Sequence, residues 1–174
     1  MNLPNLLTSI RFLLVPVFFV VFYSNLKNNI TLSMLVFVLA GITDILDGYI
    51  ARKYGKITRW GIIFDPLADK LMLLSVLYGL TDKGYLPVWV IAVVAGKEIF
   101  MAVGAAVLYF TQNKTVIPAN RLGKAATILF YLSIVALVLD LPFGWYLIII
   151  AVAVTVTAFI RYATNFRTIK KGTI

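Results

Sequence analysis

The sequence has 174 residues, of which 61% are hydrophobic and 13% are charged, and its formal net charge is +9. Soluble domains are about half apolar and about a quarter charged, so this composition argues against a water-soluble enzyme and excludes a disordered tail. The chain has no cysteine and no histidine, which excludes a thiolate nucleophile, an imidazole base and a zinc site of the usual kind. We expect an integral membrane protein whose chemistry depends on its seven carboxylates.

Six apolar runs, each close to the ~20 residues that a membrane crossing needs, predict six helices. In chain order they are Leu3–Tyr23, Ile30–Arg52, Gly61–Leu80, Leu86–Phe110, Gly123–Leu139 and Pro142–Thr164. Turn-forming residues separate the runs, and no repeat or polar linker divides the chain. The sequence therefore predicts an all-α integral membrane protein, a bundle of six transmembrane helices that forms one domain over residues 1–174.

The basic residues are distributed unevenly over this predicted topology. Six spans put both termini on the same side as the loops after the second and fourth helices. Twelve of the sixteen basic residues fall on that side or at the adjoining helix ends, whereas the opposite loops hold only Lys27 and Lys83. Cytoplasmic loops are enriched in Lys and Arg, so both termini are predicted to be cytoplasmic. We therefore expect the basic residues to set the orientation in the membrane or to contact anionic lipid, and we expect no nucleic acid partner.

Four of the seven carboxylates, Asp44, Asp47, Asp65 and Asp69, fall in the second and third predicted helices and are called the aspartate cluster below. Spacings of three and four residues put each pair on one helix face, and the short connection makes the two helices neighbours. An ionised Asp in a span costs about 2.5–3.5 kcal/mol, so a positive partner is expected. Lys70 is not favoured, because it points about 100° away from Asp69 on an ideal helix. Oxygen ligands alone favour Mg²⁺ or Mn²⁺.

Small residues share the faces of the aspartate cluster, namely Gly48 and Ala51 on the second helix and Gly61 on the third. Residues without bulk allow a ligand to approach the backbone, and they equally allow two helices to pack closely. Both interpretations stay open from the spacing alone. Asp82 and Asp140, in the loops of the opposite side, are expected to be solvated.

The combined pattern is Asp44-x-x-Asp47-Gly48-x-x-Ala51-Arg52, then eight residues, then Gly61, three residues, Asp65, three residues and Asp69. It resembles the signature of the CDP-alcohol phosphotransferase family. The resemblance implies a membrane transferase of phospholipid biosynthesis that moves a phosphatidyl group from CDP-diacylglycerol to an alcohol and releases CMP. It also implies that the aspartate cluster holds two divalent ions, with Asp69 as general base on the acceptor hydroxyl.

The same resemblance implies a set of residues that bind CDP-diacylglycerol. These are Gly48, Ala51, Arg52, Thr58 and Gly61 in the signature, and Asn5, Thr8 and Arg11 in an N-terminal segment similar to that of the family. Family members are commonly homodimers, so a homodimer is a further expectation.

The short chain and its N-terminal segment resemble the bacterial members that use glycerol 3-phosphate as the acceptor. A phosphate-bearing acceptor needs basic residues on the cytoplasmic side, and four are candidates: Lys114, Arg121, Lys124 and Arg161. Of these, Lys124 and Arg161 are the preferred phosphate contacts.

Two departures from related synthases leave other functions open. Lys97-Glu98 stands where Arg-Glu is usual, and Phe130 stands where Gln is expected. Lys97 and Glu98 could contribute to the acceptor pocket or simply pair with neighbours. The alternative within the family is therefore cardiolipin synthase, which takes phosphatidylglycerol, or another CDP-alcohol phosphotransferase with a different acceptor. A cation transporter is the alternative from another class, and it is disfavoured because the acids cluster toward the cytoplasmic half.

Overall fold

We describe the protein from a computed structural model, which describes residues 3–53, 59–111 and 121–171. Within these ranges the chain forms six α-helices and no strand. The helices are α1 (Leu3–Phe22), α2 (Asn29–Lys53), α3 (Arg59–Asp82), α4 (Val88–Thr111), α5 (Arg121–Val138) and α6 (Gly144–Lys171). The prediction of an all-α chain is confirmed for the described residues.

The helix ends differ from those that the apolar runs predict by up to seven residues. Helix α4 begins at Val88 rather than at Leu86, because Pro87 disfavours helical backbone in the residue before it. Helix α6 continues to Lys171, well beyond the predicted end at Thr164. Polar residues such as Arg and Lys are good helix formers, so the helix extends past its apolar part.

Contacts divide the chain into two compact units, Met1–Pro87 and Val88–Ile174. In the first unit α1 packs against both α2 and α3, and α2 also contacts α3. Fully buried side chains of its core include Phe22, Phe37 and Leu77. The expectation of a single domain over residues 1–174 stays a prediction.

In the second unit α6 packs against both α4 and α5. The start of α6 approaches the end of α5 so closely that a Cβ atom on Gly144 would lie 2.9 Å from the Leu137 Cα atom. That distance is too short for any residue other than glycine. Gly144 therefore fixes how tightly the connection between α5 and α6 can turn.

Apolar side chains cover much of the outer surface of these helices, with Leu13, Val20 and Ile45 among the most exposed. Among the helices of the described ranges, two contain segments long and apolar enough to cross a membrane. They are Asn29–Ile50 in α2, with a mean hydropathy of 1.9, and Gly144–Thr164 in α6, with a mean hydropathy of 2.0. Exposed apolar surface of this extent suits a membrane protein. The number of crossings stays a prediction.

Candidate active site

Arg11 is the only charged residue of α1, and its side chain is 0% exposed. Its Nη1 atom lies 2.6 Å from Oδ1 of Asp44, and its Nη2 atom donates a hydrogen bond to Oδ2 of Asp47. Nη1 also donates to the main-chain oxygen of Asp65 at 3.2 Å. One guanidinium group on α1 thus connects α2 with α3.

Thr8 lies one helical turn before Arg11, and its side chain is also buried. Residues three apart share a helix face, so α1 presents both polar groups on the same side. The Thr8 hydroxyl donates a hydrogen bond to Oδ1 of Asp65. Next to this contact the rings of Phe12 and Phe64 meet edge to face, with centroids 6.0 Å apart. The polar contacts of α1 and α3 are therefore bordered by an aromatic pair.

The structure brings the four carboxylates of the aspartate cluster into one region of the first unit. Asp44 interacts electrostatically with both Asp65 and Asp69, and Asp47 interacts with both Asp44 and Asp65. Exposure differs within the cluster, since the side chain of Asp44 is 40% exposed and that of Asp47 only 4%. Asp44 is therefore the more accessible of these two carboxylates.

Asp69 forms an ion pair with the residue that follows it. The Nζ atom of Lys70 lies 3.3 Å from Oδ2 of Asp69. The expectation that Lys70 points away from this carboxylate is therefore wrong. The four-carbon side chain of lysine is long and flexible enough to fold back, although the Cβ atoms diverge by about 100°.

The donor set of the aspartate cluster fits a hard divalent cation, because it consists of carboxylate oxygens. Nevertheless, among the described residues no three His, Cys, Asp or Glu side chains are grouped closely enough to hold a metal ion. Arg11 contacts one oxygen each of Asp44 and Asp47, and Thr8 contacts one of Asp65. Coordination of a cation by the cluster requires these side chains to rearrange, and the metal role of the cluster stays a prediction.

The residues expected to bind CDP-diacylglycerol are described in part. Gly48 is half-buried and directly follows Asp47 on α2. Gly61 lies in the first turn of α3. Thr58 lies outside the described residues, as do the side chains of Asn5, Ala51 and Arg52. Their contact with the donor stays a prediction.

The residues expected to bind the acceptor phosphate belong to the second unit. Lys124 on α5 and Arg161 on α6 both have exposed side chains, and the two helices pack against each other. The side chain of Arg121 and all of Lys114 lie outside the described residues. The assignment of a phosphate site to these residues stays a prediction.

Lys97 and Glu98 form an ion pair with each other on α4, with Nζ of Lys97 2.6 Å from Oε1 of Glu98. Both side chains are largely buried. A cavity of about 210 Å³ between α4 and α6 is lined by Lys97, Gly96 and Thr155. The two side chains thus pair with each other, and a contribution to an acceptor pocket stays open.

The two acids expected to be solvated are exposed. Asp82, at the end of α3, accepts a hydrogen bond of 2.8 Å from the hydroxyl of Tyr23. Asp140 lies in the turn between α5 and α6 with a φ of 53°. Both therefore lie outside the buried core, and Asp82 helps to join the ends of α1 and α3.

A model of the family described as CDP-alcohol phosphatidyltransferase matches residues 1–157 of the chain. The chain belongs to the CDP-alcohol phosphatidyltransferase family. This confirms the family that the signature indicated, and the match also includes the N-terminal segment with Thr8 and Arg11.

Curated members of the CDP-alcohol phosphatidyltransferase family are similar to this chain over most of its length. A CDP-diacylglycerol–glycerol-3-phosphate 3-phosphatidyltransferase from Rickettsia felis is 41% identical over 138 residues, which cover 78% of this chain and 75% of the relative. A relative of the same name from Bacillus subtilis is 34% identical over 155 residues, covering 82% of this chain and 79% of the relative.

Proposed function

We propose that this protein transfers the phosphatidyl group of CDP-diacylglycerol to glycerol 3-phosphate, giving phosphatidylglycerophosphate and CMP. The observation that carries the proposal is the 41% identity, over 78% of the chain, to a relative whose name states this reaction. The polar cluster in the first unit supports it, because transfer of a substituted phosphoryl group depends on positioning and charge neutralisation.

The aspartate cluster is proposed to hold two divalent cations, Mg²⁺ or Mn²⁺. When bound, such ions would neutralise the diphosphate of the donor. Asp69 is proposed to accept the proton of the acceptor hydroxyl. The ammonium group of Lys70, 3.3 Å away, compensates the negative charge of this carboxylate in the apolar surroundings of α3.

Two further groups of residues are proposed to bind the substrates. The donor is bound by Gly48, Ala51, Arg52, Thr58 and Gly61 together with Asn5, Thr8 and Arg11. The acceptor phosphate is bound by Lys124 and Arg161, assisted by Arg121 and Lys114. Guanidinium and ammonium groups both bind phosphate, with Arg able to form the bidentate contact.

All six helices are proposed to cross the membrane, with both termini and the active site on the cytoplasmic side. The apolar segments of α2 and α6 support this topology, as does the excess of basic residues in the loops of one side. A membrane site is also what the donor requires, since its two acyl chains remain in the lipid while its nucleotide faces water.

The reaction is tested with purified full-length protein in detergent, by release of labelled CMP from CDP-diacylglycerol. We expect release to require both glycerol 3-phosphate and Mg²⁺ and to stop when EDTA removes the metal. Loss of a general base costs about 10²–10⁴-fold, so Asp69→Asn is expected to lower the rate by at least about 100-fold. Asp82→Asn removes an acid from the other end of α3 and is the matched control, with a nearly unchanged rate.

The choice of acceptor decides between the functions that the sequence left open. Phosphatidylglycerol as the only productive acceptor would establish a cardiolipin synthase instead. CMP release that no acceptor changes would indicate hydrolysis and would overturn the transferase. A normal rate in Asp69→Asn would exclude this residue as the base.

A further inference from the structure

The position of Arg11 has a direct bearing on how the aspartate cluster binds a cation. The side chain is fully buried, and its two terminal nitrogens contact carboxylate oxygens of Asp44 and Asp47. A buried charge is stable only when it is paired, so this contact satisfies Arg11 and the two acids together. The cluster therefore has a positive partner supplied by the chain itself.

The same contact stands in the way of a bound cation. A divalent ion ligated by both Asp44 and Asp47 would lie beside the guanidinium group that already bridges them. The cation and the guanidinium group are both positively charged and would repel each other, and this repulsion is stronger in a buried site than in water. The contact occupies Oδ1 of Asp44 and Oδ2 of Asp47, so a cation that takes both carboxylates meets the guanidinium group at the same pair of side chains.

One hydrogen-bond donor of the Arg11 side chain has no acceptor in the described part of the chain while the guanidinium group contacts Asp44 and Asp47. Nε is buried and has no hydrogen-bond partner among the described residues. An unsatisfied buried donor costs free energy, so the contact with Asp44 and Asp47 is not the best environment that a guanidinium group can find. A phosphate-bearing ligand could bond all three nitrogens, and this favours exchange over a permanent contact.

We propose that Arg11 is an internal counter-ion that competes with the divalent cation for Asp44 and Asp47, so that metal binding releases the Arg11 side chain. The inference rests on the proposed function, because it takes these two aspartates as metal ligands. It makes Arg11 a positioning residue that keeps the two helices together before the metal binds. If Arg11 instead only held the two carboxylates in position for the metal, its removal would weaken metal binding.

The test measures Mn²⁺ affinity of the full-length protein in detergent, without substrate, by electron paramagnetic resonance of the free ion. Arg11→Gln removes the competing charge, and we expect it to bind Mn²⁺ about tenfold more tightly than the wild type. Thermal unfolding in EDTA is the second readout. There Arg11→Gln is expected to unfold at a lower temperature, and saturating Mn²⁺ is expected to reduce the difference. Lys27→Gln, which removes one positive charge from an exposed loop position, is the matched control and should change neither.

Arg11→Lys is the second variant, for use if Arg11→Gln fails to fold. It keeps the positive charge but loses the planar guanidinium group that contacts both carboxylates. Its Mn²⁺ affinity is expected to lie above that of the wild type. If the wild type binds Mn²⁺ and the variants bind it equally well or more weakly, Arg11 does not compete with the cation. The proposed metal site then still stands. A wild type that binds no Mn²⁺ overturns the metal site itself and the competition with it.

Discussion

Three carboxylates of the aspartate cluster, those of Asp44, Asp47 and Asp69, form ion pairs with basic side chains of the first unit. Asp47 is bonded to Arg11 from another helix, and Asp69 is paired with Lys70 on its own helix. Each unpaired ionised Asp in a span would cost about 2.5–3.5 kcal/mol. These pairs let the first unit carry its acids before a metal ion is bound.

The sequence was sufficient to predict that the four aspartates come together, because spacing alone fixes which face of a helix a residue occupies. It did not predict Arg11 as their partner, since that contact depends on the register of α1 against α2 and α3. A single arginine within an apolar run was the signal that could have indicated it. The position of Lys70 was predicted wrongly, because a Cβ direction does not determine where a four-carbon side chain ends.

Tyr23 allows one of the contacts of the first unit to be followed by pH. Partial burial, the hydrogen bond to Asp82 and the charge of that carboxylate raise the pKa of Tyr23 to about 12. Because the folded-state pKa lies above the ordinary value of 10.0, the stabilisation is complete below pH 10.0 and disappears as pH rises through about 12. We expect tyrosinate absorbance from Tyr23, obtained as the difference from Tyr23→Phe, to appear at a higher pH than that of free tyrosine.

Asp82→Asn removes the charge that helps to hold the Tyr23 proton, so it is expected to lower the pKa of Tyr23. Asp140→Asn removes an exposed acid of the second unit and is the matched control. An unchanged titration of Tyr23 in Asp82→Asn would show that burial alone raises its pKa.

Among the elements, the existence of all six helices followed from the apolar runs, whereas their ends did not. Hydropathy measures only where a helix is apolar. It therefore misses the polar final turns of α6, and it also misses the restriction that Pro87 places on the start of α4. The close contact at Gly144 was not visible in the sequence, because it depends on how α5 and α6 meet.

Gly144 offers a direct test of the packing between these two helices. A Cβ atom at this position would lie 2.9 Å from backbone atoms of Leu137, and backbone cannot move aside as a flexible side chain can. Overpacking of this kind costs about 1–3 kcal/mol, so Gly144→Ala is expected to lower the thermal unfolding temperature. Gly96→Ala is the matched control, because a Cβ atom there meets nothing within 4 Å and alanine favours a helix interior. Equal stability of the two variants would contradict the close approach.

For the whole molecule, composition was enough to predict a membrane protein, and the exposed apolar side chains of the helices agree with it. The orientation in the membrane rests on the distribution of Lys and Arg, which no contact within the protein reports. It is a property of the chain relative to the bilayer and needs its own measurement.

The absence of cysteine from the sequence makes that measurement simple. Single cysteines introduced as Lys27→Cys and Lys171→Cys can be labelled with a membrane-impermeant maleimide without background. We expect Lys27→Cys to react in intact cells, and Lys171→Cys to react only after the membrane is permeabilised. Leu141→Cys, in the turn between α5 and α6, repeats the test for the second unit and should behave as Lys27→Cys does. The reverse pattern would invert the proposed topology.

Helix α1 is attached to α3 at two distant points. Thr8 is bonded to Asp65 near one end, while at the other end Tyr23 is bonded to Asp82. Fourteen helical residues lie between these two residues, which puts them about 22 Å apart along the helix axis. A shift of α1 along its axis relative to α3 would break these hydrogen bonds. Release of the Arg11 guanidinium by rotation about the bonds of its own side chain leaves both of these hydrogen bonds intact.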